Sequence, residues 1–458
     1  MSKSTCPSPE SMSRYRAITR HGITAIPQWS SLAAEQQEAI QVVSRVLPLR
    51  TNPYVLDQLI DWDQVPDDPI FRLTLPHQDM LDEDAYRALR DLVMGGADEP
   101  RIADQVSRIR AAMNPHPAGQ LSHNVPRLNG QPLPGLQHKY DQTVLFFPQA
   151  GQSCHAYCTF CFRWAQFVGA KDMTFAAPDS DGLVAYLERH PEVSDLLVTG
   201  GDPLVMTTRV LRRYLEPVLA ADLPHLRTIR FGTKSVAYWP QRFVSDPDAD
   251  DLLRFFESII ASGRSISVMA HYNHPRELST AVARQAIARI RSTGAQIRMQ
   301  SPMVRHVNDR PQVWADLWRE GTALGMIPYY CFVERDTGPS SYFSLPLVRC
   351  WQIFRDAYRQ VGGLCRTVRG PSMSAFPGKV LIDGVTTVAG ERVFALQFLQ
   401  ARRDDWVRRP FFAAFDPHAT WLDQLRPAFG AERFFFEDQL DGELQSWRST
   451  ADGVRLPQ

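Results

Sequence analysis

The sequence predicts an α/β chain built on a partial (βα)6 barrel, preceded by a helical N-terminal region and followed by a short C-terminal extension. Three observations support this. Six short apolar runs recur, at TVLFFPQ (143–149), DLLVTG (195–200), TIRFGT (228–233), SISVMAHY (265–272), QIRMQSPM (296–303) and IPYYCFVE (327–334). They alternate with amphipathic helical patterns: DGLVAYLERH, RVLRRYLEPVLA, DDLLRFFESIIA, STAVARQAIARIRSTG and QVWADLWREGTALG. Connections of that length suit parallel strands, so the units form a parallel sheet, closed or half-closed. Finally, the chemically suggestive motifs fall directly after these runs, at the strand ends where barrels carry their catalytic loops.

Taken in order, residues 1–15 are rich in Ser and Pro and read as a disordered leader. Residues 16–113 read as helical: SLAAEQQEAIQVVSRVL and DEDAYRALRDLVM place apolar residues three and four apart, with Ser or Asp near each start. Prolines at 115, 117, 126, 132 and 134 make 114–137 an extended linker. The barrel spans 138–387. The extension, 388–458, has no cysteine, and its ARRDDWVRRPFF segment reads as a packed or interface helix.

Composition narrows the function classes. Lys plus Arg equals Asp plus Glu, 50 against 50, so no net field favours nucleic acid or an anionic membrane. Neither an apolar h-region nor a long uninterrupted apolar run occurs. Seven cysteines with one tight cluster do not make a secreted disulfide framework, and a reducing cytoplasm is expected.

That cluster is CHAYCTFCFR, carrying Cys154, Cys158 and Cys161. Three thiolates in one loop suit a [4Fe-4S] cluster whose fourth iron stays open to a non-protein ligand. With His155 they could instead hold a structural zinc, although no second cysteine knuckle is present. Cys6, Cys331, Cys350 and Cys365 stand singly, as ordinary thiols do. After the second run comes TGGDPL, in which Gly200 and Gly201 allow close backbone approach and Asp202 offers an acceptor. Taken alone, it is equally a tight turn.

The cysteine loop, LLVTGGDPL, HYNHP (His271 to Pro275), MQSPM, IPYYCFVERDTGPSSYF and GPSMSAFPGK, in this order, resemble the lysine 2,3-aminomutase family of radical S-adenosylmethionine (SAM) enzymes. The resemblance runs from about residue 21 to 384. It implies a radical SAM barrel in which Cys154, Cys158 and Cys161 hold the [4Fe-4S] cluster. Phe160, Gly200, Gly201, Asp202 and His271 would then border SAM, with Asp202 at its amino group. It further implies pyridoxal 5′-phosphate (PLP) attached to Lys379, with Gln300 and Lys139 near the phosphate and Arg163 on the substrate carboxylate. An external one-electron reductant of flavodoxin or ferredoxin type and a homo-oligomer also follow from the resemblance.

The chain departs from that pattern in its substrate pocket. Of two positions that are acidic in lysine-using members, one falls on Arg335 and the other on Ser372, or near Arg369 if a gap is allowed, so an amino acid other than lysine is expected, glutamate or aspartate in type. Before the cysteine strand, HKYDQT supplies Lys139 and no second basic residue for a phosphate. Two alternatives remain at this stage. One is a PLP-independent radical SAM enzyme performing another hydrogen abstraction or rearrangement; the other is a non-catalytic protein that keeps the cluster for structure or sensing.

Overall fold

The structure, a computed structural model, describes residues 14–114, 124–169 and 175–441. Its centre is an 11-stranded sheet whose strands lie in strict sequence order. They are β1 (Leu136–Tyr140), β2 (Thr143–Phe146), β3 (Asp195–Val198), β4 (Thr228–Thr233), β5 (Ser265–His271), β6 (Gln296–Met303), β7 (Ile327–Val333), β8 (Arg369–Ser374), β9 (Gly378–Val388), β10 (Glu391–Ala401) and β11 (Pro410–Ala414). Strands β2 to β8 run parallel. At one edge β1 pairs antiparallel with β2; at the other, β9 to β11 form an antiparallel meander.

All six expected runs are strands, and the five helical patterns between them are helices. Burial alternates with period two along β4 and β6, whereas β5 is buried continuously from Ile266 to Ala270. In β4, Ile229, Phe231 and Thr233 are buried while Thr228, Arg230 and Gly232 are only partly so. The fully buried side chains meet the helical layer: Asp181–Leu187, Thr208–Ala220, Ala249–Ala261, Ala281–Ser292 and Pro311–Ala323. Each fully buried Leu, Ile or Phe on these faces contributes roughly 1.5–3 kcal/mol. The opposite face carries polar, partly exposed residues, Asp195, Arg230, Arg298 and Gln300.

Two elements differ from expectation. A sixth crossover helix, Leu347–Tyr358, leads into β8, a seventh parallel strand that the non-apolar sequence RGPSMS conceals. The ARRDDWVRRPFF segment is not a helix. Its ends belong to β10 and β11, with one turn of 3-10 helix (Asp404–Trp406) between them, because the aromatics pack beneath the meander. The expected boundary at 387/388 therefore falls inside one continuous sheet, and the sheet already begins at Leu136.

Among the described residues no ladder joins β1 to the far edge, yet the two approach each other. Lys139 of β1 donates to the Ala375 carbonyl just after β8. Arg402, just past β10, donates to the Phe376 carbonyl (2.9 Å) and to Asn124 Oδ1 (2.6 Å), and the Asn124 carbonyl accepts from His138 N of β1 (2.8 Å). A flat sheet would hold strands seven places apart at about 33 Å, so this one is curled into a half-barrel closed by side chains.

The N-terminal residues form a separate layer of four helices: Ala34–Val43, Pro69–Thr74, Glu83–Met94 and Glu99–Ala112. Asp82 and Asp98 cap the last two through backbone N–H groups. Most of the expected leader lies outside the described residues. Tyr15, at its end, is ordered and packs edge-on against His155 and Trp239.

Candidate active site

The cysteine loop leaves the end of β2 and is held from behind by the N-terminal layer. Tyr157 N donates to the Arg50 carbonyl (2.8 Å), and Thr159 donates from N to Leu73 O (2.9 Å) and from Oγ1 to Arg72 O (2.7 Å). Asn52, fully buried, donates Nδ2 to the His155 (3.2 Å) and Tyr238 (3.0 Å) carbonyls. Tyr15 OH reaches the same His155 carbonyl at 3.1 Å. His155 itself is buried, with Nδ1 2.9 Å from Ser235 Oγ, and burial lowers its pKa to about 3. A neutral ring committed to Ser235 anchors the loop.

The three cysteines lie close together: Cys158 and Cys161 both resist ionisation of Cys154, and Cys161 resists that of Cys158. Burial raises Cys158 to about 12 and Cys161 to about 11, and Cys154 lies well above the usual thiol range. Such thiols stay protonated at neutral pH unless a metal takes them. Among the described residues no group of three His, Cys, Asp or Glu side chains is spaced to hold a single metal ion.

The glycine pair serves the loop. A Cβ on Gly201 would lie 2.5 Å from Ser153 O and 2.6 Å from Ser153 N; on Gly200, at φ +155°, it would lie 2.9 Å from Gly151 O. The backbones are this close because Gly201 N donates to Gly151 O (3.1 Å) and Asp202 N to Ser153 O (2.7 Å). Asp202 departs from its expected position at an amino group. It is 1% exposed, and its carboxylate accepts from Leu204 N (2.9 Å), Thr233 Oγ1 (2.8 Å), Lys234 N (2.9 Å), Ser235 N (3.0 Å) and Ser235 Oγ (2.9 Å). These bonds use both oxygens fully, so Asp202 ties the ends of β3 and β4 together and has no lone pair left for a ligand.

Sheet register gathers the remaining candidates. His271, Gln300, Tyr330 and Arg369 are successive partners across β5, β6, β7 and β8, forming one rung. Phe160 stands edge-on to His271 at 5.8 Å. Lys379 lies in β9 rather than in a loop. Gly378 gives it no freedom, since a Cβ there would meet Gln400 O at 2.4 Å. The Lys379 ammonium sits 4.0 Å above the Tyr330 ring and donates to Gln400 Oε1 (3.2 Å). Arg369 lies 4.2 Å from that ring. Burial, then Arg230 and Arg369, lower Lys379 to about 7. Lys139 is lowered well below the usual lysine range by burial and by Arg402, Arg335 and Lys379.

Arg163 is 8% exposed and stacks 4.3 Å over Phe147. Its Nη2 donates to Gln166 Oε1 (2.5 Å) and Gln152 Oε1 (3.3 Å), while Nε has no partner. Arg335 lies 5.3 Å over Phe162 and is electrostatically coupled to Asp336, Tyr140 and Glu334. Ser372 departs from expectation: it is fully buried, donating to the Cys331 carbonyl (3.5 Å), and lines no accessible space. Arg163 Nε, Tyr238 OH, His271 Nε2, Asn273 Nδ2 and Glu334 Oε2 are all buried near these strand ends without a hydrogen-bond partner. Sequence reasoning missed Asn52, Arg230, Lys234 and Arg402. A charge in mid-strand, as in TIRFGT, was the one local signal for Arg230.

No family model matches the chain. It is 32% identical over 391 residues to an Aquifex aeolicus protein provisionally named L-lysine 2,3-aminomutase, spanning 85% of this chain and 90% of that one. Identity to the L-lysine 2,3-aminomutase of Acetoanaerobium sticklandii is 24% over 343 residues, 75% of this chain and 71% of the relative. The Bacillus subtilis L-lysine 2,3-aminomutase is 24% identical over 302 residues, 66% of this chain and 54% of the relative. Streptococcus suis SuiB bound to S-adenosylmethionine superposes with a TM-score of 0.34 at 10% identity, over 61% of this chain and 58% of SuiB, a likeness too weak to bear on function.

Proposed function

The chain belongs to the lysine 2,3-aminomutase family of radical SAM enzymes, and from that premise we propose that it moves an amino group from Cα to Cβ of an anionic amino acid, with PLP carried on Lys379. When bound, the iron–sulfur cluster and SAM supply the hydrogen-abstracting radical, and PLP supplies the electron sink for amino migration. Cys154, Cys158 and Cys161 hold the cluster, and the orphaned donors around the loop await ligand atoms. Arg163, with Nε unsatisfied, grips the substrate α-carboxylate, for which a planar guanidinium is suited.

The observation that carries the proposal is the charge of the half-barrel interior. Arg335 and Arg402 lie within electrostatic reach of Lys139, and Arg230 and Arg369 within reach of Lys379; burial and this crowding strip charge from both lysines, so the four arginines carry the excess. The carboxylates among them are Asp195, paired with Arg230 at 2.7 Å, and Glu334 and Asp336 beside Arg335. Burial holds Glu334 far above the usual carboxylate range, so it offers little charge. Two anions fit such an excess. One is the phosphate of PLP, gripped by Arg369, Arg230 and the Lys139–Arg402 pair, which replace the basic residues missing before the cysteine strand. The other is a substrate side-chain carboxylate at Arg335. Placing the ammonium of lysine beside Arg335 would cost several kcal/mol.

The test is anaerobic turnover of glutamate, aspartate and lysine by wild-type enzyme and Arg335→Asp, with a flavodoxin or ferredoxin supplying electrons. Wild type should prefer an acidic substrate and the variant should shift toward lysine. Preferred turnover of lysine by wild type would refute the assignment.

A further inference from the structure

The C-terminal extension has no part in the steps above, yet it reaches Arg335. After β11 the chain turns at Asp416, whose carboxylate accepts from His418 N (2.7 Å) and Ala419 N (3.2 Å). The Ala419 carbonyl accepts from Leu347 N (2.8 Å), at the start of the helix Leu347–Tyr358. Gln424 Oε1 accepts from Thr420 N (2.8 Å). The chain then returns to β11, where Ala414 N donates to Arg426 O (2.9 Å) and Ala428 N to Phe412 O (3.1 Å). Trp421 stands between these anchors and is 7% exposed.

Two rings meet the Arg335 guanidinium. Its central carbon lies 6.0 Å from the centre of the Trp421 ring and 5.3 Å from that of Phe162, on the cysteine loop. Phe162 is 44% exposed, so its ring serves as a face for this contact rather than as part of the core. Aromatic faces attract a guanidinium without taking up its N–H donors, whereas a carboxylate occupies them. The rings therefore restrict where the guanidinium can point and leave its donors for carboxylates within reach, Asp336 and a substrate's. An arginine held this way loses less freedom when a ligand arrives, which is preorganisation for binding.

We propose that Trp421 and Phe162 are positioning residues that hold the Arg335 guanidinium ready for the substrate's side-chain carboxylate, so that the C-terminal extension forms one wall of the pocket and shares in its specificity. This rests on the reading that Arg335 meets that carboxylate. The side-chain carboxylate lies away from Cα and Cβ, so the grip on it is the same before and during amino migration. Losing a ring should therefore weaken binding and leave the chemical step alone.

The experiment compares wild type, Trp421→Leu, Trp421→Phe and Phe162→Leu as anaerobically reconstituted full chains. Turnover of glutamate, aspartate and lysine is measured, and calorimetry follows binding of the two acids with SAM left out. Trp421→Leu should raise KM and the dissociation constant for the preferred acid about tenfold, the size of one desolvated cation–π contact, at unchanged kcat. Trp421→Phe keeps a ring and should bind nearly as wild type does. Phe162→Leu, at an exposed position, should act in the same direction and decides the matter if Trp421→Leu does not accumulate. An unchanged KM in either leucine variant, or a loss that falls on kcat rather than KM, would overturn the inference. Wild type preferring lysine would instead overturn the substrate reading and this inference with it, so the two failures differ.

Discussion

Lys379 gives the sharpest quantitative prediction. With its pKa brought to about 7, half of its amines are neutral at pH 7, against about one in three thousand for a lysine at 10.5. That is a gain of roughly a thousandfold in nucleophile, and it comes from burial first, then from Arg230 and Arg369. The rate of borohydride-trappable PLP attachment should therefore rise about tenfold per pH unit below 7 and level off above it. Arg369→Gln removes one of the cations and should move the inflection upward; Lys379→Ala should abolish attachment. The same shift has a stability sign. Because the folded pKa lies below the unfolded one, the unfolded chain binds the extra proton between about 7 and 10.5. Apo-protein stability should therefore rise with pH across that window, by up to about 5 kcal/mol, and Lys379→Met should flatten the rise. An attachment rate inflecting near pH 10, or a pyridoxyl label mapped to Lys139, would refute the reasoning.

Gly201→Ala should lower cluster content and thermal stability, because its Cβ would meet the Ser153 backbone at 2.5 Å and must push the cysteine loop away; iron analysis and a melting curve check this. Asp202→Ala should lose iron and melt earlier even without SAM, since it strands donors from Leu204, Thr233, Lys234 and Ser235; a variant impaired only in SAM affinity would show that the carboxylate contacts ligand instead.

The strands were legible because parallel strands under a helical layer need apolar runs, and each run here is framed by an amphipathic helix. The same logic hid β8, whose RGPSMS has little to bury. The chemistry-bearing motifs were visible as spacing, but their partners were not. Asn52 secures His155 from 103 residues away and Arg402 meets Asn124 from 278, and no local pattern encodes such distances. The glycine pair and Asp202 were noticed for the right reason, close approach and an acceptor. What they approach is the protein's own loop, which a sequence cannot distinguish from a ligand.

The seam at which Lys139 meets Ala375 and Arg402 meets Asn124 bears on when the enzyme becomes competent. Its two sides are separated by 236 and 278 residues of sequence, so a ribosome-bound chain already carrying all three cysteines still lacks the strands that close the half-barrel. Until translation passes Arg402 the ring of cations is missing a wall. The half-barrel can close only once β10 has been made, however early the cysteine loop has emerged.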